Sequence, residues 1–502
     1  INATFPEENY YEIKVEHKMT GELEIQEFKA YYDESVPLNV SQVIKTVEYD
    51  TNHPGNITAI NVHQLYTGSP TSSLPSVESR TTYQYDSTWH ADLVEEATVV
   101  TDVDGVQSTV KSTAQYDRLG RPTVITNQET GDLSISQTSI EYDQLGRVTK
   151  VTNPPHDNTL ATTYRTYTYL DTQRKIRITD ELGNITEETY DGMDRLVTSS
   201  WIDSLNQTHV LSHNRYDSLG NLISSFDGNF NETKYEYDAF GRQVKTIWPD
   251  ETYNTISYSD VWVSSPNVVP SLSFVRPSHI TGLELSSWIK SVNEDGDIVY
   301  NSYDQLGRLA VTASKPDVAP VNGALSWDIC WYEYDRFNRP VKMSVQRQAN
   351  VWDTTTYGYD YVFSSPSSVD MPGNTEFEHI YEYNSLGLKV KEYSGNNITP
   401  INYQYDELGR LKKVEYPENI TAKYSYDKFG NVKNALLLKN NVVESTLTMQ
   451  YNKRNWIQSQ QWTIGTDNYT ISYEYDAVGN RKKVIYPDQE IISFEYDELG
   501  HI

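Results

Sequence analysis

The side chains that could bind a metal ion or take part in catalysis are scattered along the chain. Few of them have the spacing that such a site requires. His209 and His213 have the i, i+4 spacing of a metal-binding pair on a helix. The pattern around them is that of a strand and a turn, where this spacing does not converge on one ion, and no third ligand is evident. Asp102-Val-Asp-Gly105 and Asn293-Glu-Asp-Gly-Asp297 resemble calcium loops but lack the acidic twelfth residue. Asp-Gly is ordinary hairpin chemistry, so we expect no metal site.

Nucleophilic and acid-base catalysis have little support. Cys330 is the only cysteine, which excludes a disulfide framework and a Cys-rich zinc module. It lies in a strand-like run, where a buried inert thiol is expected. The chain contains none of the G-x-S-x-G, H-E-x-x-H, Walker A or dinucleotide signatures. Paired carboxylates could cleave glycosides, but a repeat accounts for most of the acids. We therefore expect no catalytic residues and no cofactor.

Charge and hydropathy limit the partners. The 41 Lys and Arg against 70 Asp and Glu give a net charge of −29, which repels phosphate backbones and anionic lipid surfaces. No run of about 18 apolar residues is present, so we expect neither nucleic-acid binding nor membrane insertion. The chain begins at Ile1 without a signal-peptide pattern, which suggests a processed form or a fragment.

The elements that position these residues come from one recurring hexad, Tyr-Asp-x-Leu-Gly-Arg, with Phe or Val, and Asn or His, as variants. Its steps are 21 residues at 216→237, 405→426 and 475→496. Such a period is typical of a repeat array rather than of three separate domains. The residues to which we assign a structural role in the repeat are Tyr116, Asp117, Gly120, Arg121, Tyr142, Asp143, Gly146, Arg147, Tyr216, Asp217, Gly220, Tyr237, Asp238, Gly241, Arg242, Tyr303, Asp304, Gly307, Arg308, Tyr405, Asp406, Gly409, Arg410, Tyr426, Asp427, Gly430, Tyr475, Asp476, Gly479, Tyr496, Asp497 and Gly500.

The residue pattern of each repeat predicts a β-hairpin. The Asp can start an Asx-type turn, and the Gly supplies a positive φ. Many hexads follow Tyr-x-Tyr, such as Tyr235-Glu-Tyr237, which places rings on one sheet face and polar groups on the other. An aromatic-Pro-acid turn follows at the opposite end, as in Tyr416-Pro-Glu418.

The sequence therefore predicts an all-β fold. It is a continuous antiparallel strip of about twenty hairpins, a quasi-one-dimensional array in which each hairpin packs on its neighbours. Residues 1–110 are expected to be degenerate repeats and residues 111–502 the main array. Loop insertions, or a partner-binding rim, are expected near 261–295, 311–330 and 341–375.

The hexad at this spacing resembles the YD repeat of Rhs proteins, of the BC shell of insecticidal Tc toxin complexes and of teneurin ectodomains. The resemblance implies that the strip spirals into an open or partial hollow barrel or shell. In Rhs and Tc proteins this shell encloses a toxic polypeptide, and in teneurins it supports adhesion. The sequence lacks the Asp-Pro motifs of the Rhs autoproteolytic core, so that activity is not carried over. It also lacks the Cys-rich EGF modules of teneurins. The part of these proteins that the sequence resembles is therefore the wall of the shell.

We accordingly expect a secreted or cell-surface, non-catalytic scaffold whose partners are other chains or segments of a larger assembly, and an encapsulated polypeptide. Two alternatives remain open. One is an adhesion or glycan-binding module, and the other is a subunit that self-associates through open strand edges into a filament or surface layer. Nine sequons could carry N-linked glycans if the chain passes through a glycosylating route. They are Asn2, Asn39, Asn56, Asn184, Asn206, Asn231, Asn397, Asn419 and Asn468.

Overall fold

The computed structural model is an all-β array. The residues that it describes are 11–16, 24–30, 41–53, 55–64, 66–67, 76–87, 92–102, 104–130, 135–156, 162–259, 277–280, 285–315, 327–348, 351–359, 365–373, 379–395 and 399–502. Within them lie 38 strands and two single 3₁₀ turns, Asp171–Gln173 and Pro417–Asn419. The predicted fold class is therefore confirmed.

The first nineteen strands, in chain order, are β1 Tyr11–Glu16, β2 Glu24–Ala30, β3 Ser41–Tyr49, β4 Ile57–His63, β5 Tyr66–Thr67, β6 Val77–Tyr85, β7 Leu93–Thr101, β8 Gln107–Tyr116, β9 Pro122–Glu129, β10 Ser136–Tyr142, β11 Val148–Asn153, β12 Thr163–Leu170, β13 Lys175–Thr179, β14 Ile185–Tyr190, β15 Leu196–Ile202, β16 Thr208–Tyr216, β17 Leu222–Asp227, β18 Glu232–Tyr237 and β19 Gln243–Ile247.

The other nineteen are β20 Tyr253–Tyr258, β21 Leu285–Val292, β22 Ile298–Asp304, β23 Leu309–Lys315, β24 Asp328–Tyr334, β25 Pro340–Gln348, β26 Val351–Gly358, β27 Ser368–Asp370, β28 His379–Tyr383, β29 Lys389–Ser394, β30 Ile401–Tyr405, β31 Leu411–Tyr416, β32 Ile420–Tyr426, β33 Val432–Lys439, β34 Val442–Tyr451, β35 Ile457–Ile464, β36 Asp467–Tyr475, β37 Arg481–Ile485 and β38 Ile491–Ser493.

The strands form one sheet in which neighbours along the chain pair antiparallel. From β6 onward, every strand pairs with the next one in sequence, as in β10 with β11 and β36 with β37. The short β5 pairs with β3 instead, so β4 pairs with β6. Because each strand leads directly into its partner, the sheet is a strip of hairpins with two long edges. We call the edge that carries the hexad turns the hexad edge, and the opposite one the far edge.

A β-bulge recurs where the hexad begins. Tyr142 pairs with Val148 while Glu141 pairs with Lys150, so Thr149 on the return strand has no opposite residue. The same register shift occurs at the Tyr of the other described hexads that pair in the ladder, and it extends to the degenerate copies at Tyr49 and Tyr85. A bulge bends its strand and increases the local twist. Each hairpin that carries the bulge therefore adds its own bend to the strip.

The two faces of the strip differ. The residue between the two rings of Tyr-x-Tyr is exposed at Glu236, Gln404 and Glu474, whereas the rings are half-buried. On the polar face, Glu residues form ion pairs with the Lys directly opposite on the next strand. These pairs are Glu141–Lys150, Glu236–Lys245, Glu333–Lys342, Glu382–Lys391 and Glu474–Lys483, with N–O distances of 3.0, 3.9, 3.8, 2.8 and 2.9 Å. Opposite charges across a strand pair contribute about 0.2–1 kcal/mol each.

The strip has little deep core, and its main apolar cluster lies on β22–β24. Val311 and Trp331 are buried there against Tyr300, and Ile280 from the segment before β21 packs on them. The predicted insertions fall in this part of the chain. Their residues 260–276, 281–284, 316–326, 349–350, 360–364 and 374–375 lie outside the described residues. β25, β26 and β27 occupy much of 341–375, so the ladder continues through that segment.

Candidate functional site

The hexad turn is held together by its own aspartate. At Asp143, the carboxylate Oδ1 accepts hydrogen bonds from the backbone N–H groups of Leu145 and Arg147, each at 2.9 Å. Its Oδ2 accepts from Arg147 Nε at 2.8 Å. Gly146 has a φ of +86°, the left-handed region that a side chain penalises. One Asp thus satisfies the turn backbone and fixes the Arg.

The same geometry recurs along the hexad edge. The Asp Oδ1 accepts the corresponding backbone N–H groups, and the Gly has positive φ, in the hexads that begin at Tyr116, Tyr142, Tyr216, Tyr237, Tyr303, Tyr405, Tyr426, Tyr475 and Tyr496. Asn384 and Asn452 perform the Asp role in degenerate copies. The turn is therefore a unit repeated with little change.

The hexad arginine links each repeat to the next. The Arg410 guanidinium donates to the backbone O of Asp427 at 2.9 Å and lies over the Tyr426 ring, with Cζ 4.9 Å from the ring centroid. Arg over the Tyr of the following repeat recurs at six further positions. These arginines are Arg121, Arg147, Arg195, Arg242, Arg308 and Arg339. A cation over an aromatic ring contributes about 0.5–2 kcal/mol.

The hexad tyrosine makes the reciprocal link. Tyr426 donates its hydroxyl proton to the backbone O of Leu411 in the preceding repeat at 2.6 Å. Equivalent bonds of 2.6 to 3.1 Å are made at thirteen positions in the described residues. This explains why the chain uses Tyr rather than Phe here, since the carbonyl would otherwise lose its partner. Sequence reasoning missed both links, although the Tyr excess was a signal for the second.

Hydrogen bonds to the turn carboxylates favour their ionised form. The hydrogen bond from Arg195 lowers the pKa of Asp191 to about 2. Hydrogen bonds from Arg121 and Asn221 likewise lower the pKa of Asp117 and Asp217. A group whose pKa is depressed in the folded state stabilises the fold above its unfolded pKa. The hexad edge is therefore sensitive to acid.

A second structural feature joins distant parts of the chain. Residues 379–502, the second winding, lie with their hexad edge against the far edge of residues 76–163, the beginning of the first winding (76–359). The hydrogen bonds between them join residues separated by 291 to 328 positions. They involve side chains rather than a strand ladder. We call this contact the seam.

Glu407 is one anchor of the seam. Its carboxylate accepts the backbone N–H of Thr101 at 2.6 Å, and its backbone O accepts the Ser79 hydroxyl at 2.6 Å. One repeat earlier, Asn384 and Ser385 both donate to the carboxylate of Glu78, the Asn384 bond measuring 3.0 Å. The variable third residue of the hexad, Ser385 or Glu407, thus faces the other winding.

Arg454 is the other anchor. It occupies the hexad position that is usually Leu, and its Nε donates to the backbone O of Pro154 at 2.8 Å. The same guanidinium donates to the Thr163 hydroxyl, and Asn452 donates to the backbone O of His156 at 2.7 Å. Burial lowers the pKa of Arg454. A half-buried arginine that spans two windings would be costly to leave unpaired.

The seam fixes the size of one winding. It joins β6 to the β28–β29 turn and β10 to the β34–β35 turn, so a winding takes about 23 strands. At about 4.8 Å per strand, such a winding measures roughly 110 Å around and 35 Å across. A cavity of about 460 Å³ lies in the seam, between Thr101 and Glu129 on one side and Arg410, Lys412 and Tyr426 on the other.

The other candidates have local roles. His209 bonds Asp203 at 2.9 Å and stacks on Trp201, while His213 bonds Thr198, so the two rings serve different partners. In the turn at 102–106, Asp102 accepts the backbone N–H groups of Asp104 and Val106. Within the described ranges, no group of three or more His, Cys, Asp or Glu could hold a metal ion.

The remaining polar candidates also lie in ordinary surroundings. Asn293 accepts the N–H of Asp297 at 2.7 Å, which closes the second loop that resembled a calcium site. Burial raises the pKa of the Cys330 thiol in β24. No helix in the described part of the chain is long and apolar enough to cross a membrane.

The sequons divide into three groups. Asn2, Asn39 and Asn397 lie outside the described residues. Asn184 and Asn231 donate their side-chain amides to Asp180 and Asp227 inside turns, at 3.0 and 2.8 Å. Exposed positions are found at Asn206, Asn419 and Asn468, and Asn56 is half-buried. Glycosylation of any of them stays a prediction.

Comparisons with known proteins agree with the repeat. The model of the RHS repeat family matches residues 216–250, which contain the hexads of Tyr216 and Tyr237. The tRNA3(Ser)-specific nuclease WapA of Bacillus spizizenii is 23% identical over 321 residues, which cover 62% of this chain and 13% of that protein. The chain thus spans about an eighth of this curated relative.

Among solved structures, a TcdB2-TccC3-TEV crystal structure shares 16% identity over 95% of this chain and 27% of its own, with a TM-score of 0.40. A Tc holotoxin pore of Photorhabdus luminescens shares 15% identity over 92% of this chain and 26% of its own, with a TM-score of 0.37. The hexad recurs at 21-residue steps along one hairpin strip, and the RHS-repeat match falls within it. The repeat of this chain is therefore similar to the YD, or RHS, repeat, and the family model matches it at residues 216–250.

Proposed function

We propose that this chain is a non-catalytic segment of shell wall, whose task is to enclose or separate rather than to react. The observation that carries the proposal is the seam, because it places one winding of the strip on another. Within a winding, strands are joined by backbone ladders, and between windings Glu407 and Arg454 bridge the edges. A wall joined in both directions would keep proteases out of the space that it surrounds.

The charged residues support a structural role. The Asp of each hexad binds its own turn, and Glu residues of the polar face pair with Lys across the strand, as Glu474 does with Lys483. Many of the acidic side chains are thereby engaged in turns and ion pairs. The name of the Bacillus relative records a nuclease that acts on tRNA, and this chain matches 13% of it. We propose that the shared part is wall, and that the nuclease chemistry belongs to other parts of the relative.

The proposal also covers the binding partners and the location of the protein. Suitable partners are other chains or segments that complete the enclosure, together with an unfolded polypeptide inside it. The net charge of −29 favours neither nucleic acid nor anionic lipid as a partner. A secreted or cell-surface location fits a protein whose function is to shield a cargo or to hold two surfaces apart.

Two experiments test the proposal. Cryo-electron microscopy of the purified chain should show a hollow arc or ring roughly 35 Å across, whereas a solid compact particle would contradict the wall role. Total tRNA incubated with the chain and Mg²⁺ should remain intact. Specific cleavage that co-purifies with the chain and survives repeated chromatography would contradict the non-catalytic assignment. A particle that is monomeric and binds glycans on an array would favour the adhesion alternative.

A further inference from the structure

The cavity in the seam, called the seam cavity below, has two walls of opposite charge. The first winding contributes two acids and no base to its lining, and these acids are Asp102 and Glu129. The second winding contributes one acid and three bases, which are Asp406, Arg410, Lys412 and Lys433. In a chain of net charge −29, a predominantly basic wall that faces an acidic one is a local exception.

The two lysines occupy a special position of the repeat. Lys412 and Lys433 are the surplus residues of two successive hexad bulges, at Tyr405 and Tyr426. A bulge re-aims a side chain relative to the regular alternation of the strand. In the intact hexads of the first winding that pair in the ladder, the surplus residue is uncharged. These residues are Thr123, Thr149, Ile223, Val244 and Ala310. The repeat itself therefore does not require the lysines.

The ammonium groups on the basic wall retain hydrogen-bonding capacity. The Lys412 ammonium reaches the backbone O of Thr101 at a distance of 3.4 Å, which is a long hydrogen bond. Lys433 is exposed, and in the part of the chain that the structure describes its ammonium has no hydrogen-bond or ion-pair partner. The Arg410 guanidinium, in contrast, is bound to Asp406 at 2.7 Å. The two lysines are thus the groups on this wall that can bind a ligand.

The carboxylates on the acidic wall are also partly unused. Glu129 accepts one hydrogen bond, from the Ser108 hydroxyl to Oε1 at 2.8 Å, and Asp102 uses Oδ1 for its own turn. Among the described residues, no ion pair joins either carboxylate to Lys412 or Lys433. The two walls are therefore held apart with one carboxylate oxygen of each acid available to a ligand.

Charge complementarity selects the class of ligand. A simple anion would be repelled by the acidic wall, and a simple cation by the basic wall. A zwitterion complements both walls, because its ammonium group donates to the carboxylates and its carboxylate accepts from the lysines. The cavity volume of about 460 Å³ lies within the range of about 300–1,000 Å³ that is usual for small-molecule sites.

We propose that the seam cavity binds a small zwitterion, such as a short peptide with free termini. The ammonium group of the ligand binds Asp102 and Glu129, and its carboxylate binds Lys412 and Lys433. Because the two walls belong to different windings, the bound ligand links the windings. This goes beyond the wall role, which requires no small ligand.

Isothermal titration calorimetry at low ionic strength tests the class of ligand. Triglycine should bind, and N-acetyl-triglycine and triglycine amide should each bind about 10-fold more weakly, because each lacks one of the two charges. The proposal would be overturned if triglycine did not bind. It would also be overturned if triglycine blocked at both ends, or the neutral disaccharide maltose, bound as tightly as triglycine.

Three variants test the assignment of the walls. Glu129→Gln should abolish the preference for a free amino terminus and keep the preference for a free carboxyl terminus, and Lys433→Gln should do the reverse. Lys482→Gln is the matched control, since Lys482 is the surplus residue of the hexad at Tyr475 and does not line the cavity. It should keep both preferences. Each preference is a ratio of two affinities measured on one protein, so partial unfolding of a variant does not alter it.

A different pattern among these variants would contradict the assignment. If Glu129→Gln and Lys433→Gln kept both preferences, or if the Lys482→Gln control lost one, the ligand would bind elsewhere and the proposal would be wrong.

The link between the windings has its own readout. The Thr101 N–H donates across the seam to Glu407, so its hydrogen exchange reports opening of the seam. Triglycine at about ten times its dissociation constant should slow this exchange about 10-fold, because it binds only when the seam is closed. Binding without slower exchange would refute the link. A hollow particle that does not bind triglycine would refute this inference and leave the wall role standing, whereas a solid particle that binds triglycine would do the opposite.

Discussion

The strength of the seam can be measured at a single amide. The Thr101 N–H donates across the seam to the Glu407 carboxylate at 2.6 Å, so its exchange with solvent requires the seam to open locally. Glu407→Ala removes this acceptor but keeps the backbone O to which Ser79 donates. A hydrogen bond to a charged group contributes about 1.5–3 kcal/mol.

Because Glu407 and Thr101 are half-buried, water can replace part of this interaction, and the lower part of that range applies. A loss of about 1.5–2 kcal/mol corresponds to hydrogen exchange at Thr101 that is about 10–30-fold faster. Glu407→Gln, which keeps a neutral acceptor, should give an intermediate rate. The measurement is hydrogen-deuterium exchange by mass spectrometry with fragmentation to single residues.

The chain supplies its own control. Glu498 occupies the same position in an identical Tyr-Asp-Glu-Leu-Gly turn, is exposed, and makes no described bond to the first winding. Glu498→Ala should leave Thr101 exchange unchanged. If Glu407→Ala also leaves it unchanged, or if both variants accelerate it equally, the seam as described is wrong.

Three further predictions concern the repeat itself. Tyr426→Phe removes the 2.6 Å bond to the Leu411 carbonyl and should lower the free energy of unfolding by about 1 kcal/mol in urea titration; an unchanged midpoint would mean that the hydroxyl is not a structural link. Gly409→Val places a β-branched residue at a φ of +75° and should cost about 1–2 kcal/mol, seen as a lower melting temperature; a retained melting temperature would refute the turn geometry. The melting temperature should hold down to about pH 4 and fall toward pH 2, since the Arg195 hydrogen bond lowers the pKa of Asp191 to about 2, and the Asp contribution is lost as pH drops through that value. Asp191→Asn should make this acid slope shallower by the contribution of one carboxylate among several, and an equally steep slope would show that Asp191 does not contribute.

The parts of the fold that repeat locally could be predicted from sequence. The period of 21 residues and the Tyr-Asp-x-Leu-Gly-Arg hexad were sufficient to predict an antiparallel hairpin strip, because turn residues and side-chain alternation act over a few positions. The bulge opposite Tyr142 was not predicted, since a five-residue turn leaves the register open. The insertion predicted at 341–375 instead contains β25 and β26, whose sequences lack an intact hexad.

The links between units were harder to predict. Arg410 reaches the Tyr426 ring only because of the way one hairpin lies beside the next. The sequence of a single repeat does not encode this arrangement. The seam joins residues about 300 positions apart through side chains such as Glu407, in the variable hexad position. A position that varies between repeats carries no periodic signal, so reasoning from the repeat overlooks it. Contacts that depend on the curvature of the whole strip are visible only in three dimensions.

The bulge at each hexad has a consequence for how such walls can grow. In the described residues, each intact hexad that pairs in the ladder has one surplus residue on its return strand, as Thr149 is, and so contributes a bend wherever it lies in the chain. The curvature of the strip is then set by the single repeat and does not depend on how many repeats the chain contains. Duplication of hairpins would make the tube longer and leave its bore unchanged. A wider bore would require altered hexads, so evolution can adjust capacity along the axis far more easily than across it.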